Sequence, residues 1–153
     1  MKVFLITLLM PWFLMAALPA PIDLEAQKPR DLQGRDAKVF APQGKLLLVF
    51  WATWCPSCKR KMVSQIPKIR ARGDLAVVAI NTDEELPRAI QFVKRHKVDL
   101  EHWSDPEQKW RTLFGVKAVP HWVTLEKTVA GWVVRDQGTE MDESKALASL
   151  SLK

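Results

Sequence analysis

Two continuous apolar runs occupy the middle of the chain. Lys45 to Trp51 reads Lys-Leu-Leu-Leu-Val-Phe-Trp, and Leu75 to Ile80 reads Leu-Ala-Val-Val-Ala-Ile. Apolar runs of this length without alternation are typical of strands that are covered on both faces, as in a parallel sheet. The pattern therefore predicts two buried central strands.

Segments with helical spacing of apolar residues lie after and between these strands. Pro67 is expected to kink or end the first helix. The residues 82–85 form a capping-box pattern that is expected to open the second helix. Asp105 is expected to cap the third, with Pro106 at its first position. The apolar faces are marked by Met62, Ile66 and Ile69, by Leu86, Ile90 and Val93, by Trp110, Leu113 and Phe114, and by Leu147 and Leu150 in a closing helix over 142–150.

The remaining segments complete the predicted order of elements. The run 116–125 and the segment 132–134 predict two more strands, and 100–103 predicts a short extended link. A turn is predicted at 31–36 with a short strand at 37–40, and little fixed structure is expected before residue 30. Strands that alternate with helices predict an α/β fold, in which a mixed central sheet carries helices on both faces.

Length and charge restrict the class of protein. The chain of 153 residues is long enough for one domain with a real core. Its formal net charge of +6 favours acidic partners or anionic surfaces. Because no basic cluster is interleaved with aromatic residues, binding of nucleic acid is not expected.

The N-terminus has the composition of a secretory signal peptide. Lys2 is followed by an uncharged stretch from Val3 to Leu18, and Ala16, Ala17 and Ala20 offer small residues for cleavage near its end. An uncleaved membrane anchor formed by 3–18 and a buried core helix are the alternatives. The predicted division is a signal peptide or anchor at 1–20, a flexible linker at 21–35 and one domain at 36–153. Export, with the bacterial periplasm as the expected location, would place the cysteines outside the reducing cytosol.

The only two cysteines, Cys55 and Cys58, lie where the first buried strand gives way to a helix. They are close enough to form a small disulfide ring. Free backbone N–H groups at a helix start favour an anion, so the pKa of Cys55 should be lowered and Cys55 should be the attacking thiolate. Cys58, one turn further on, should be less exposed and act as the resolving thiol. The positive charges of the next three residues should also lower the pKa of Cys55; these residues are Lys59, Arg60 and Lys61.

Other uses of the cysteine pair are open at this point. A structural zinc site needs four ligands, and the three histidines (His96, His102 and His121) show no ligand spacing. A purely structural disulfide would close a loop of only four residues and contribute little. A soft metal such as Cu(I) could be held by both thiolates, with His121 as the only additional candidate ligand. No metal or other cofactor is expected for the redox function.

The segment from Phe50 to Lys59, Phe-Trp-Ala-Thr-Trp-Cys-Pro-Ser-Cys-Lys, resembles the active-site segment of the thioredoxin superfamily. It is most similar to the exported, TlpA-like branch of thiol–disulfide oxidoreductases. The resemblance implies a thioredoxin fold with a short N-terminal extension and a redox pair at Cys55 and Cys58. It also implies a cis peptide bond before Pro120, beside the pair, with an ordinary trans proline as the alternative. The predicted substrate-binding residues are Trp54, Pro56, Val119, Pro120 and His121, whereas Trp51 and Trp122 are expected in the core.

Two positions depart from the family pattern. Val49 stands where many thioredoxins bury an aspartate, and Lys61 stands where TlpA-like reductants often place a glutamate. A positive charge near the pair stabilises the thiolate and makes the disulfide a stronger oxidant, although Lys61 could equally extend into solvent.

The resulting hypothesis is a TlpA-like reductant of exported proteins, for example in cytochrome c maturation or envelope redox homeostasis. Its partners would be protein thiols and disulfides of the cell envelope and a membrane electron donor. A periplasmic thiol oxidant or isomerase is the alternative with the same chemistry. A Cu(I)-binding protein is the alternative from another class.

Overall fold

The structure, a computed structural model, describes residues 20–139 and 143–151. Within them five strands form one mixed sheet in the order β3-β2-β1-β4-β5. β1 pairs in parallel with β2, and β2 with β3, whereas β4 is antiparallel to both β1 and β5. The strands are β1 (Lys45–Trp51), β2 (Ala76–Asn81), β3 (Glu101–Ser104), β4 (His121–Thr128) and β5 (Gly131–Gly138). The two apolar runs are thus the central strands, as predicted, and the expected extended link is the strand β3.

Helices cover both faces of this sheet, which confirms the predicted fold class. Successive side chains of β1 point to opposite faces. One face carries Leu47, Val49 and Trp51, which share a core with α1, α2, α3 and α5. The other face packs against α4 and the N-terminal segment. The helices are α1 (Pro56–Ser64), α2 (Ile66–Ala71), α3 (Leu86–His96), α4 (Lys109–Leu113) and α5 (Glu143–Ser149).

Pro67 divides the first predicted helix in two. Helix α1 ends at Ser64 and α2 begins at Ile66. A proline has no N–H, so the carbonyl of Val63 loses its helical partner there. The expected kink or end at Pro67 is confirmed.

Two predicted helix starts are wrong in detail. The residue before α3 is Glu85, and its side chain makes no capping hydrogen bond, so 82–85 is not a capping box. Helix α4 begins at Lys109 rather than at Pro106. The Asp105 carboxylate still caps it, because it accepts hydrogen bonds from the backbone N–H groups of residues 110 and 111 at 3.0 and 2.9 Å.

The N-terminal segment packs on the sheet, whereas little fixed structure was expected before residue 30. Ile22 and Trp132 exchange two backbone hydrogen bonds of 2.7 and 2.9 Å, and Leu24 is fully buried. The turn predicted at 31–36 is present, with a bridge between Arg30 and Asp36. No strand forms at 37–40.

Parts of two predictions fall outside the described residues. These are the signal peptide or anchor at 1–20, apart from Ala20, and the start of the closing helix at Asp142. No helix in the described ranges is both long and apolar enough to cross a membrane.

His102 of β3 is buried in the core beside Trp51, with the two ring centroids 6.0 Å apart. Neither ring nitrogen has a well-formed hydrogen-bond partner among the described residues. Burial lowers the pKa of His102 to about 4, and a contact with the Val98 carbonyl opposes this only in part. The folded protein therefore holds His102 neutral at pH values where an unfolded chain would bind a proton.

We predict that His102 makes the folded state less stable in mild acid. Its pKa is about 4 in the fold and about 6.5 in an unfolded chain, so stability falls as the pH drops through this window. The loss between pH 7 and pH 5 should be about 2 kcal/mol. Denaturant unfolding of the oxidised protein at both pH values should show this loss, and His102→Leu should remove it. An exposed control, His96→Gln, should lose as much stability between pH 7 and pH 5 as the wild-type protein. If His102→Leu showed the same loss, the assignment of this pH dependence to His102 would be contradicted.

Candidate functional site: a disulfide at the start of a helix

The two cysteines form a disulfide at the N-terminus of α1, with their Cα atoms 5.3 Å apart. Cys55 is the N-cap residue, in extended backbone conformation, and Cys58 lies one turn further along. Cys55 is 5% exposed and Cys58 only 1%. Cys55 is thus the more exposed of the two residues, which supports the predicted order of attack.

Three polar groups surround the sulfur of Cys55. The backbone N–H of Cys58 donates to it at 3.2 Å, and the Ser57 Oγ lies 3.4 Å away. The carbonyl oxygen of Val119 lies at 3.8 Å. After reduction, the first two groups can donate to a thiolate, whereas the Val119 carbonyl can accept a hydrogen bond only from the protonated thiol. The site therefore has contacts suited to both protonation states of Cys55.

The Val119 carbonyl belongs to the loop that leads into β4. The peptide bond between Val119 and Pro120 is cis, as the resemblance implied. Both residues are half-buried. The loop thus brings backbone from a distant part of the chain next to Cys55.

His121, the first residue of β4, is oriented away from the disulfide. It pairs with Phe50 across the strands, and the two rings lie edge to face at 6.3 Å. Phe50 belongs to the core on the opposite face of the sheet from Cys58. The Nε2 of His121 lies 3.2 Å from the Gln137 Oε1. Within the described residues no hydrogen bond joins His121 to either cysteine.

Three tryptophans in and near the site differ sharply in burial. Trp51 is fully buried and Trp122 is 1% exposed, so both belong to the core as predicted. Trp54, directly before Cys55, is 67% exposed. Pro56 is also exposed. Trp54 and Pro56 therefore present apolar surface next to the disulfide.

The positions that depart from the family pattern lie near Cys58. Val49 is 2% exposed and shares a core with Cys58. Lys61, three residues beyond Cys58 on α1, is half-buried. Across residues 20–139 and 143–151, no carboxylate forms a hydrogen bond with either cysteine, and no three potential His, Cys, Asp or Glu ligands converge to hold a metal ion.

The buried carboxylate of Asp83, inside the segment predicted as a capping box, holds the loop before Cys55. Both oxygens of Asp83 accept from the backbone N–H of Thr53 at 3.1 Å. Asn81 donates to Asp83 at 3.0 Å, and its amide oxygen accepts from the Asp83 N–H at 3.2 Å. These bonds tie the end of β2 to the loop between β1 and α1. The signal in the sequence was a short Asn-Thr-Asp segment directly after a buried strand.

We predict that Asp83→Ala destabilises the fold by about 1–3 kcal/mol, because the N–H of Thr53 would lose its acceptor. It should also slow exchange at Cys55 by loosening the loop. The measurements are denaturant unfolding of the oxidised variant and its rate of thiol–disulfide exchange. Glu84→Ala, at the exposed neighbouring position, should change stability by less than about 0.5 kcal/mol. Equal effects of the two substitutions would contradict the role of Asp83.

Comparison with known proteins agrees with this geometry. The Redoxin family matches residues 19–147. The thiol–disulfide oxidoreductase ResA of Bacillus subtilis is 27% identical over 94 residues, which are 59% of this chain and 52% of ResA. The chain thus matches about half the length of that relative.

Solved structures show the same fold. A secreted disulfide oxidoreductase of Mycobacterium tuberculosis, homologous to E. coli DsbE, superposes with a TM-score of 0.65 at 17% identity, covering 84% of this chain and 98% of that one. StoA from Bacillus subtilis gives a TM-score of 0.64 at 17% identity, covering 80% and 93%. The predicted resemblance to the thioredoxin superfamily and its TlpA-like branch is confirmed, and the chain belongs to the Redoxin family.

Proposed function

We propose that this protein is a thiol–disulfide oxidoreductase that acts on protein substrates through Cys55 and Cys58. The observation that carries the proposal is the disulfide at the start of α1, whose first sulfur lies within reach of both a backbone N–H donor and the Val119 carbonyl. The name of the relative ResA supports the same activity. A purely structural staple would not require these contacts around the sulfur of Cys55.

In the reducing direction, the Cys55 thiolate attacks one sulfur of a substrate disulfide. The substrate S–S bond breaks, its other sulfur leaves as a thiolate that takes up a proton, and a mixed disulfide joins Cys55 to the substrate. Cys58, after losing its proton, then attacks the Cys55 sulfur. The internal disulfide forms again, and the substrate leaves as a dithiol that has gained two electrons and two protons.

The surroundings of the pair have separate roles in this proposal. The N–H of Cys58 and the hydroxyl of Ser57 stabilise the attacking thiolate. Trp54 and Pro56 provide exposed apolar contact for the substrate, and Val119 and Pro120 provide the neighbouring backbone. His121 is the weakest member of the predicted substrate surface, because its ring packs against Phe50.

The preferred direction is reduction of exported proteins, with electrons from a membrane donor. The bacterial periplasm remains the proposed location, with residues 1–20 as a signal peptide or residues 3–18 as a membrane anchor. The name of the M. tuberculosis neighbour, a secreted protein, is in line with export. The alternative direction, oxidation or isomerisation, is favoured by Lys61 and by Val49, because the pair has a cation rather than a carboxylate nearby.

The reduction potential tests the direction. A reductant should have a potential at least about 30 mV below the glutathione couple, which corresponds to a tenfold shift in equilibrium. Lys61→Glu should lower the potential further, by roughly 15–30 mV, since a negative charge disfavours the thiolate. Lys68→Glu on α2 is the matched control. Equilibration with glutathione buffers measures all three proteins, and a wild-type value above the couple would assign the protein to the oxidants.

A further inference from the structure

A shallow groove runs between α1 and α3 and begins beside the disulfide. Its volume is about 680 Å³, and its apolar lining includes Pro56, Val63 and Phe92. Val63 is 45% exposed and lines this groove from α1. The groove therefore offers an apolar surface that the described fold does not cover.

Cations line the same groove. Lys59 and Arg60 come from α1, and Arg95 comes from α3. No carboxylate lines the groove, and none of the ion pairs found in residues 20–139 and 143–151 involves these three side chains. An occupant of the groove would therefore meet apolar surface flanked by positive charge.

The groove is continuous with the redox site. Pro56 lines it and directly follows Cys55. Along α1, the distance from Pro56 to Val63 is about 10 Å at the helical rise of 1.5 Å per residue. This distance corresponds to about three residues of an extended peptide. A substrate held at Cys55 can thus place residues a few positions from its own cysteine in the groove.

We propose that this groove binds an acidic and apolar segment that flanks the reactive cysteine of a protein substrate. The inference rests on the proposed function and names its substrate class. An apolar side chain of this substrate segment packs on Val63 and Phe92, and its carboxylates pair with Arg60 and Arg95. A neighbouring substrate segment rich in lysine would meet like charges and be disfavoured.

Synthetic peptide disulfides test the proposal. Each substrate is the symmetric disulfide of a peptide with one cysteine, which has a leucine about three residues away and either two glutamates or two lysines beside it. The measurement is the second-order rate of reduction by the reduced full chain at low salt. The glutamate peptide should react at least tenfold faster than the lysine peptide, as two exposed ion pairs allow.

Charge variants locate the effect. The double variant Arg60→Gln/Arg95→Gln should bring the ratio of the two peptide rates close to one, and this ratio cancels any change in thiolate reactivity. The matched control Lys68→Gln/Lys94→Gln removes two exposed charges outside the groove and should keep the ratio. Equal loss of the ratio in both double variants would overturn the assignment of the groove.

Two further outcomes separate the groove from the reaction itself. Failure to reduce hydroxyethyl disulfide faster than a free thiol would overturn the proposed function. Normal reduction of that small neutral disulfide, with a wild-type peptide ratio near one, would overturn only the groove. In that case, binding to phosphatidylglycerol vesicles that is lost in Arg60→Gln/Arg95→Gln would assign the cations to a membrane surface instead.

Discussion

Replacing Cys58 by serine should cause mixed disulfides with substrate proteins to accumulate at Cys55, whereas Cys55→Ser should lose exchange activity. Cys55 is the more exposed of the two cysteines, and a backbone N–H and a hydroxyl lie within hydrogen-bond reach of its sulfur. Without Cys58, nothing resolves the adduct formed at Cys55. Cys58 is only 1% exposed, so without Cys55 it should react poorly with substrate. We expect a rate loss of about three orders of magnitude or more in Cys55→Ser, since nucleophile removal disables the whole unit.

Non-reducing electrophoresis followed by mass spectrometry measures the trapped species, and reduction of a protein disulfide measures the rate. The double variant Cys55→Ser/Cys58→Ser is the control and should trap nothing. The trapped proteins would also identify the substrate class. Adducts found only in Cys55→Ser would reverse the assigned roles of the two thiols.

The parts of the fold that follow from local sequence were predictable. The central strands are continuous apolar runs, and Pro67 breaks a helix because of its own covalent structure. The location of the redox pair follows from a strand that ends just before Cys55 and a helix that starts just after it. Each of these features can be recognised from neighbouring residues alone, although the strands themselves pair with distant segments.

The errors arose where distant groups compete for the same polar atoms. The sequence of 82–85 matches a capping box, but the Thr82 hydroxyl donates to the backbone carbonyl of Trp51 at 3.3 Å instead. Trp51 lies 31 positions earlier, and the parallel pairing of β1 with β2 brings the two together. Leu24 is similar, since its burial depends on the bridge between Ile22 and Trp132.

His121 shows the same limit within the candidate site. Its position after Pro120 placed it near the pair, but its side-chain direction depends on strand register. Pairing with Phe50 places its ring on the face of the sheet that lies away from Cys58. Proximity in sequence to Pro120 thus did not determine what the side chain contacts.

The two tryptophans of the segment Phe50–Lys59 should differ strongly in how much their replacement by alanine destabilises the fold. Trp51→Ala should cost about 3–5 kcal/mol, because the side chain is fully buried and packs against Phe92 with ring centroids 5.2 Å apart. The indole N–H has no partner among the described residues, so its removal leaves no polar group unsatisfied. Many domains are stable by only 5–15 kcal/mol, at a rough estimate, so the variant should unfold at far lower denaturant.

Trp54→Ala is the matched comparison, since it makes the same chemical change three residues along. Because Trp54 is 67% exposed, its loss should change stability by less than about 0.5 kcal/mol. It should instead slow exchange with protein disulfides more than exchange with a small disulfide, since Trp54 is proposed to contact substrate. Denaturant unfolding and the two exchange rates, measured on both variants, separate core packing from substrate contact. A larger stability loss in Trp54→Ala than in Trp51→Ala would contradict the assignment of Trp51 to the core and of Trp54 to substrate contact.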